Sequence, residues 1–197
     1  MLFVGFTMAD EGDVSVSQEE LEGLILAIAD GNKNALAALY ENTNTAVYGF
    51  SLSILKNTHD AQDVLQDTYI KVFANAKRYI PQGKPMAWIF TITRNLCLMK
   101  LRDGKKTTED PVEERVDIGH DTREALEDKI VLKKVIESLP SPEREIIVMH
   151  AVSGLKHREI ADILDIPLST VLSKYNRTIK KLKLLLKEEY GEQNSNA

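Results

Sequence analysis

The stretch 141–187 constrains the fold more than any other, because it predicts three amphipathic helices with very short joints. Ser141 can cap the first of these helices, and Gly154 ends it. The second helix covers about 156–164. A tight turn at 165–167 follows it, since proline starts a helix far more readily than it continues one.

The third helix of this stretch, about 168–187, has a polar face that suits DNA. Its apolar stripe has spacings of three and four: Val171, Tyr175, Ile179, Leu182 and Leu186. Off the stripe lie the candidate DNA contacts Ser169, Thr170, Ser173, Lys174 and Arg177. The last two helices of this stretch show the helix-turn-helix pattern. They are joined by a short turn, and the helix after the turn has small polar residues in its first turns. A solvated basic helix packed on two others would show the same spacing.

Charge along the chain is segregated. The net charge of −5 argues against a simple nucleic-acid binder, but the segments 94–106 and 174–187 are basic. The charged residues before Asp67 are mostly acidic. Because local charge steers association, the basic segments suit DNA and the acidic first half suggests a partner with a basic surface.

Cys97 is the only cysteine, so no internal disulfide can form. Its apolar helical surroundings predict a core residue and fit a reducing compartment. No run approaches the length of a membrane span, and residues 1–7 lack the basic start of a signal peptide. We therefore expect a cytoplasmic protein without membrane insertion.

The first hundred residues also predict helices, at about 17–30, 34–55, 59–78 and from Pro85 to Gly104. A Ser17–Glu20 capping box opens the first of them. We expect an all-α chain of two small helical domains joined by a flexible linker, the C-terminal one a helix-turn-helix. The expected boundaries are a disordered N-terminus at 1–16, a first domain at 17–103, a linker at 104–121, a second domain at 122–190 (opened by a helix at 123–138) and a tail at 191–197.

The helix at 59–78, which Thr58 can cap, carries a row of carboxylates. Asp60, Asp63 and Asp67 share one side, with Gln66 beside them, and Phe73 belongs to the apolar side. This row is compatible with a solvated face favoured by the helix dipole, or with a docking surface for a basic helix. A metal site lacks a suitably spaced histidine or further acid, so we expect no metal and no cofactor.

The loop 79–85 and the helix after it combine aromatic, amide and basic groups. The candidates are Lys84, Trp88, Arg94, Asn95 and Arg102. Such groups beside a Gly/Pro loop can stack on and bind single-stranded bases. Alternatively, Trp88 is a core residue and the basic side chains are solvated.

Three segments in order resemble one family. Residues 60–73 (D-A-Q-D-V-L-Q-D-T-Y-I-K-V-F), 85–102 (P-M-A-W-I-F-T-I-T-R-N-L-C-L-M-K-L-R) and 139–171 resemble motifs of the extracytoplasmic-function (ECF) group of bacterial sigma-70 factors. The resemblance covers about 35–187. It implies a non-enzymatic, promoter-specificity subunit of RNA polymerase.

The resemblance also implies roles for the candidate residues. Asp60, Asp63, Gln66 and Asp67 would bind core RNA polymerase. The loop 79–85 and the helix with Trp88 would recognise and help open the −10 element, and the helix from Leu168 would read the −35 element in duplex DNA. An anti-sigma factor commonly covers these surfaces in the family.

The chain departs from the family pattern after Thr170-Val171. The family usually has Lys-Ser-Arg there, whereas this chain has Leu172-Ser173-Lys174. Lysine in place of arginine loses bidentate contact, so the promoter sequence read differs from the family's usual one. Met99 likewise replaces an acid.

Two other classes of function account less well for the sequence. An ordinary helix-turn-helix regulator would bind duplex DNA alone as a dimer, but it needs neither the acidic row nor the single-strand loop. A small helical enzyme lacks a phosphate-binding loop and any Cys/His metal spacing. His157 does not belong to an H-E-x-x-H motif, and we expect it on the surface.

Overall fold

The computed structural model describes residues 16–104, 136, 138–151 and 153–193, with side chains as far as 185. These residues form seven α-helices, a 3-10 turn at Ala76–Arg78 and no strand. The helices are α1 (Gln18–Ala29), α2 (Lys33–Leu55), α3 (Thr58–Asn75), α4 (Pro85–Gly104), α5 (Ser141–Ala151), α6 (His157–Leu164) and α7 (Leu168–Gln193). The all-α prediction is confirmed. The expected N-terminal segment, nearly all of the linker and of the helix at 123–138, and the last residues of the tail lie outside the described part.

Local side-chain caps start the first three helices. The predicted box is present: Ser17 Oγ accepts from the Glu20 amide at 3.1 Å, and Glu20 Oε2 accepts from the Ser17 amide at 2.7 Å. Asn57, and not Thr58, caps α3, because its Oδ1 accepts from the Asp60 amide at 2.9 Å. The expected cap was one residue too late, since Thr58 already has helical backbone.

Helices α1 to α4 enclose one apolar core. Leu39, Phe50, Ile89 and Phe90 are fully buried there, and the Phe50 and Phe90 rings meet edge to face at 4.8 Å. Cys97 lies in this core as predicted, and its burial raises the pKa of the thiol to about 12. In the part of the chain that the structure describes, no helix has the length and apolarity needed to cross a bilayer.

Helices α5 to α7 form the predicted helix-turn-helix. The turn after α6 forms at Asp165, whose positive φ of 54° directs the chain into Pro167 and the start of α7. Ser141 does not cap α5: its hydroxyl donates to Glu145 Oε1 at 3.0 Å, and the Pro140 carbonyl accepts the first helical amides. The predicted cap is therefore wrong, because Ser141 already lies inside the helix.

His157 is half-buried, so the expectation of a surface residue is wrong. Its ring lies 4.4 Å from that of His150 and 4.6 Å from that of Tyr175. Burial, and then the neighbouring His150, lowers the pKa of His157. The ring cluster arises because α6 packs back onto both α5 and α7, which the pattern of one helix cannot reveal.

The two helical groups pack directly against each other through α5. Arg144 is 3% and Glu145 5% exposed, although both are charged. Arg144 Nη1 donates to the Ser53 carbonyl at 2.8 Å, and Arg94 Nε donates to Glu145 Oε2 at 3.1 Å. Buried charges are tolerated when they are paired, as Glu145 is, or hydrogen-bonded, as Arg144 is, so these contacts connect the two domains.

Candidate nucleic-acid interface

The predicted carboxylate row on α3 divides into a paired part and an open part. Lys100 Nζ lies 2.6 Å from Asp63 Oδ2 and 3.1 Å from Asp60 Oδ1. The hydrogen bond from Lys100 is the main reason why the pKa of Asp63 is lowered. Gln66 and Asp67 are exposed. The charge available to a partner on this row is therefore concentrated at Asp67.

Asp60 and Asp63 also lie close to His59, whose Nδ1 is 3.6 Å from Asp63 Oδ2. Ligand atoms of these three residues fall within 4.8 Å of one another. The Lys100 ammonium already supplies the positive charge between the two carboxylates. The geometry therefore fits an internal ion pair, and a metal would have to displace the lysine.

Next to Asp67, α3 exposes two large apolar side chains. Ile70 and Phe73 are both exposed, although Phe73 was expected in the core. The expectation was wrong because Val72 takes the core position, and its neighbour Phe73 points away from the core. Gln66, Asp67, Ile70 and Phe73 form what we call the α3 ridge. Sequence reasoning missed its apolar half.

A groove of about 410 Å³ lies between α3 and α4. Its lining combines cations, amides and apolar groups: Lys71, Asn75, Arg78, Trp88, Ile92, Asn95, Leu96 and Met99. Trp88 is half-buried and packs on the Tyr79 ring at 5.0 Å between centroids. An aromatic face beside amides and cations is suited to unstacked bases. Lys71, Asn75 and Arg78 were not predicted, because they come from the neighbouring helix and turn.

One carboxylate holds the loop beside this groove. Glu22 Oε1 accepts from Tyr79 Oη at 2.6 Å, from the Gly83 amide at 2.9 Å and from the Gln82 amide at 3.0 Å. These hydrogen bonds, that of Tyr79 foremost, lower the pKa of Glu22. Gly83 takes a φ of 68°, which favours glycine. No sequence signal pointed to Glu22, because it lies on α1.

The remaining candidates of the first domain point in different directions. Trp88 and Asn95, seven positions apart on α4, both line the groove. Lys84 is half-buried in a second groove facing α6, and exposed Arg102 donates through Nε to the Leu98 carbonyl at 3.2 Å. Arg94 is paired with Glu145. The five residues therefore do not form one continuous surface in this arrangement.

Helix α7 presents its polar face to solvent. Ser169, Ser173 and Arg177 are exposed one turn apart, whereas Thr170 and Lys174 are half-buried at the edge of this face. Val171 and Leu182 are buried on the opposite side, which confirms the predicted stripe over the described side chains. Exposed Leu172 and Asn176 lie between the predicted polar positions, and sequence reasoning did not include them.

Comparison with known proteins matches two family models in chain order. Residues 39–107 match sigma-70 region 2, and residues 129–182 match sigma-70 region 4. The chain is 30% identical over 190 residues to the ECF RNA polymerase sigma factor SigE of Mycolicibacterium smegmatis, covering 88% of this chain and 71% of that protein. It is 27% identical over 172 residues to SigK of Mycobacterium sp. (strain KMS), covering 83% and 89%.

Two solved structures are similar in fold. CnrH in complex with the cytosolic domain of CnrY superimposes with a TM-score of 0.62, at 24% identity over 85% of this chain and 97% of that one. The sigma factor RpoE of Bartonella quintana, in complex with the anti-sigma factor NepR, gives a TM-score of 0.61 at 24% identity over 75% and 94%. Both likenesses concern the helical fold.

Proposed function

The chain belongs to the extracytoplasmic-function group of the sigma-70 family, and on this premise we propose how its surfaces divide between core RNA polymerase and promoter DNA. It is an alternative sigma factor, a non-enzymatic subunit that directs promoter-specific initiation of transcription. Its partners are core polymerase and promoter DNA. We place it in the cytoplasm, where these partners are found.

The groove beside Trp88 is the proposed site for the melted −10 element. Its lining is the main observation in support of the proposed assignment of surfaces to core polymerase and promoter DNA. A regulator that binds only duplex DNA has no use for a partly exposed aromatic side chain flanked by Asn95 and Arg78. Stacking on an aromatic side chain contributes about 1–3 kcal/mol per base. The loop held by Glu22 lines the second groove and reaches this site through Tyr79, whose ring packs on Trp88.

The α3 ridge is the proposed contact with core polymerase. Asp67 supplies charge that is not engaged in an ion pair among the described residues, and Ile70 and Phe73 supply apolar area. Asp60 and Asp63 belong to the same surface, but their pairing with Lys100 gives them mainly a positioning role. Apolar groups rimmed by charge are the usual anatomy of a protein interface.

Helix α7 is the proposed reader of the −35 element. Ser169 and Ser173 are placed for base edges, and Arg177 with Lys174 for phosphates or guanine. A cognate anti-sigma factor is a further proposed partner. The structural relative from Bartonella quintana was solved with such a protein, and this supports the expectation.

Run-off transcription with core polymerase on a genomic promoter library tests the function. Specific transcripts should require the added chain. Asp67→Lys should lower affinity for core enzyme about tenfold at modest ionic strength, because it reverses charge at the ridge. Glu41→Lys makes the same change at another exposed position of the first domain and should bind normally. Normal core binding by Asp67→Lys would remove the ridge from the interface.

A further inference from the structure

The exposed face of α7 carries an apolar patch that the proposed function leaves unused. Leu168 is 36% and Leu172 40% exposed, one helical turn apart. A single exposed leucine is ordinary in a folded protein. These two, however, stand in the first turns of the second helix of a helix-turn-helix, where side chains reach base edges.

The position of Leu172 on the helix keeps it out of the domain core. Val171, Thr178 and Leu182 are buried and define the inner side of α7. At about 100° per residue, Leu172 falls on the side shared with Ser169 and Asn176, both of which are exposed. Its side chain therefore lies beside Leu168 at the boundary between the polar face and the apolar stripe, and it is exposed to the solvent.

The charge around the patch identifies the kind of partner it would meet. No acidic residue stands between Asp165 and Glu188, whereas this stretch contains several lysines and an arginine. Arg177, Lys180 and Lys181 are exposed. Such a surface favours a polyanion, and an apolar group exposed at its edge must then meet an apolar group that the polyanion offers.

In the major groove, the base-edge group that fits this description is the 5-methyl group of thymine. We propose that Leu172 reads a thymine of the −35 element through apolar contact with this methyl group. A leucine cannot hydrogen-bond a base, so it discriminates against bases that lack the methyl. The proposal rests on the proposed function of α7 and adds a specificity determinant to it.

The test uses full-length protein with core polymerase. A library with a randomised upstream element is first selected by the wild-type holoenzyme. Each thymine of the selected element is then replaced by deoxyuridine, which removes the methyl group alone. At one or two positions, this replacement should weaken wild-type binding roughly three- to fivefold, the effect of losing one buried methyl-sized contact.

Leu172→Ala should bind the thymine and deoxyuridine forms equally well at those positions. The matched control is Leu184→Ala, which removes another exposed leucine from α7 and should keep the wild-type discrimination. Circular dichroism checks that both variants fold. An equal deoxyuridine penalty in the wild type and in Leu172→Ala overturns the proposal, as does the absence of any thymine-dependent position.

Two further results would also overturn it, and they are distinguishable. If the wild type selects no upstream sequence, the assigned role of α7 fails and the inference fails with it. If sedimentation shows that the wild type self-associates and that Leu172→Ala is a monomer, the patch is a contact between copies of the chain. The proposal is supported by one result only: the wild type selects an upstream sequence, and its affinity for that sequence depends on both the thymine methyl group and Leu172.

Discussion

The ion pair between Arg94 and Glu145 offers the sharpest test of how the two domains are held together. The Glu145 side chain is 7% exposed, and its remaining side-chain partner is the Ser141 hydroxyl. Among the described residues, replacing Arg94 by alanine leaves this buried carboxylate with one neutral donor, the Ser141 hydroxyl. Breaking a buried pair costs about 3–5 kcal/mol.

The Arg94 side chain is 23% exposed, so water already screens part of the interaction. We therefore expect a cost at or just below the lower limit of that range, about 2–3 kcal/mol, for Arg94→Ala. If that free energy opposes separation of the domains, the open-to-closed ratio should rise roughly 30- to 150-fold. Glu145→Gln should have a smaller effect, because an amide keeps the shape and removes the charge.

Spin labels at Asn42→Cys and Lys181→Cys would measure the separation, since both positions are exposed and Cys97 is buried. Double electron–electron resonance should show a broader, longer distance distribution for Arg94→Ala. Arg78→Ala is the matched control, because Arg78 is an exposed arginine that forms no ion pair among the described residues.

Binding to single-stranded −10 DNA separates the two roles of Arg94. Glu145→Gln frees the guanidinium and should tighten binding, whereas Arg94→Ala should not. Distance distributions that are the same for Arg94→Ala and Arg78→Ala would refute the reasoning. They would show that the remaining contacts, which are apolar packing and the hydrogen bond from Arg144 to the Ser53 carbonyl, hold the domains together without the ion pair.

Three further predictions concern single side chains. Glu22→Ala should release the loop and change the fluorescence of Trp88, the only tryptophan; the wild type should show this change at low pH. The pKa of Glu22 is lowered in the folded protein, so its ionised carboxylate stabilises the loop. This stabilisation is fully present at pH values above the ordinary glutamate pKa of about 4.3, and it is lost as the pH falls through the lowered pKa. Cys97 should resist iodoacetamide at pH 8 until urea unfolds the chain, since burial raises its pKa to about 12; rapid labelling of native protein would contradict this. Arg177→Ala should weaken upstream-DNA binding and lower the salt slope by about 0.9 if it contacts one phosphate; an unchanged slope would exclude that contact.

Periodicity and breakers in the sequence were enough to locate the helices that the structure describes. Apolar residues spaced three and four apart, with Gly31, Pro85 and Pro167 as boundaries, predicted the helices to within a few residues, except that α7 continues to Gln193, six residues past its predicted end. Two further errors fell at caps: Asn57 and Pro140 start helices that were assigned to Thr58 and Ser141. The adjacent polar side chains of Asn57 and Thr58 can compete for the same amides, whereas at Pro140 a backbone carbonyl accepts them, so local sequence rarely fixes such a boundary to one position.

The candidate site was predictable where its residues share one helix. Trp88 with Asn95, and Ser169 with Ser173, were found because spacing along a single helix determines which side chains are neighbours. The other wall of the groove, with Lys71 and its neighbours, was missed because spacing along one helix does not show which side chains of another helix lie beside it. It belongs to a different helix.

What the sequence determined by itself is the helical content, the helix-turn-helix and the family. Local hydrogen bonding and the apolar period act over a few residues and are written directly in the chain. Tertiary structure alone decided which partners the charged side chains have: Lys100 pairs with Asp63, Arg94 pairs with Glu145, and Glu22 accepts a hydrogen bond from the Gly83 amide. Those partners are 37, 51 and 61 positions apart, and only helices packed at particular angles and distances bring such side chains within reach of each other.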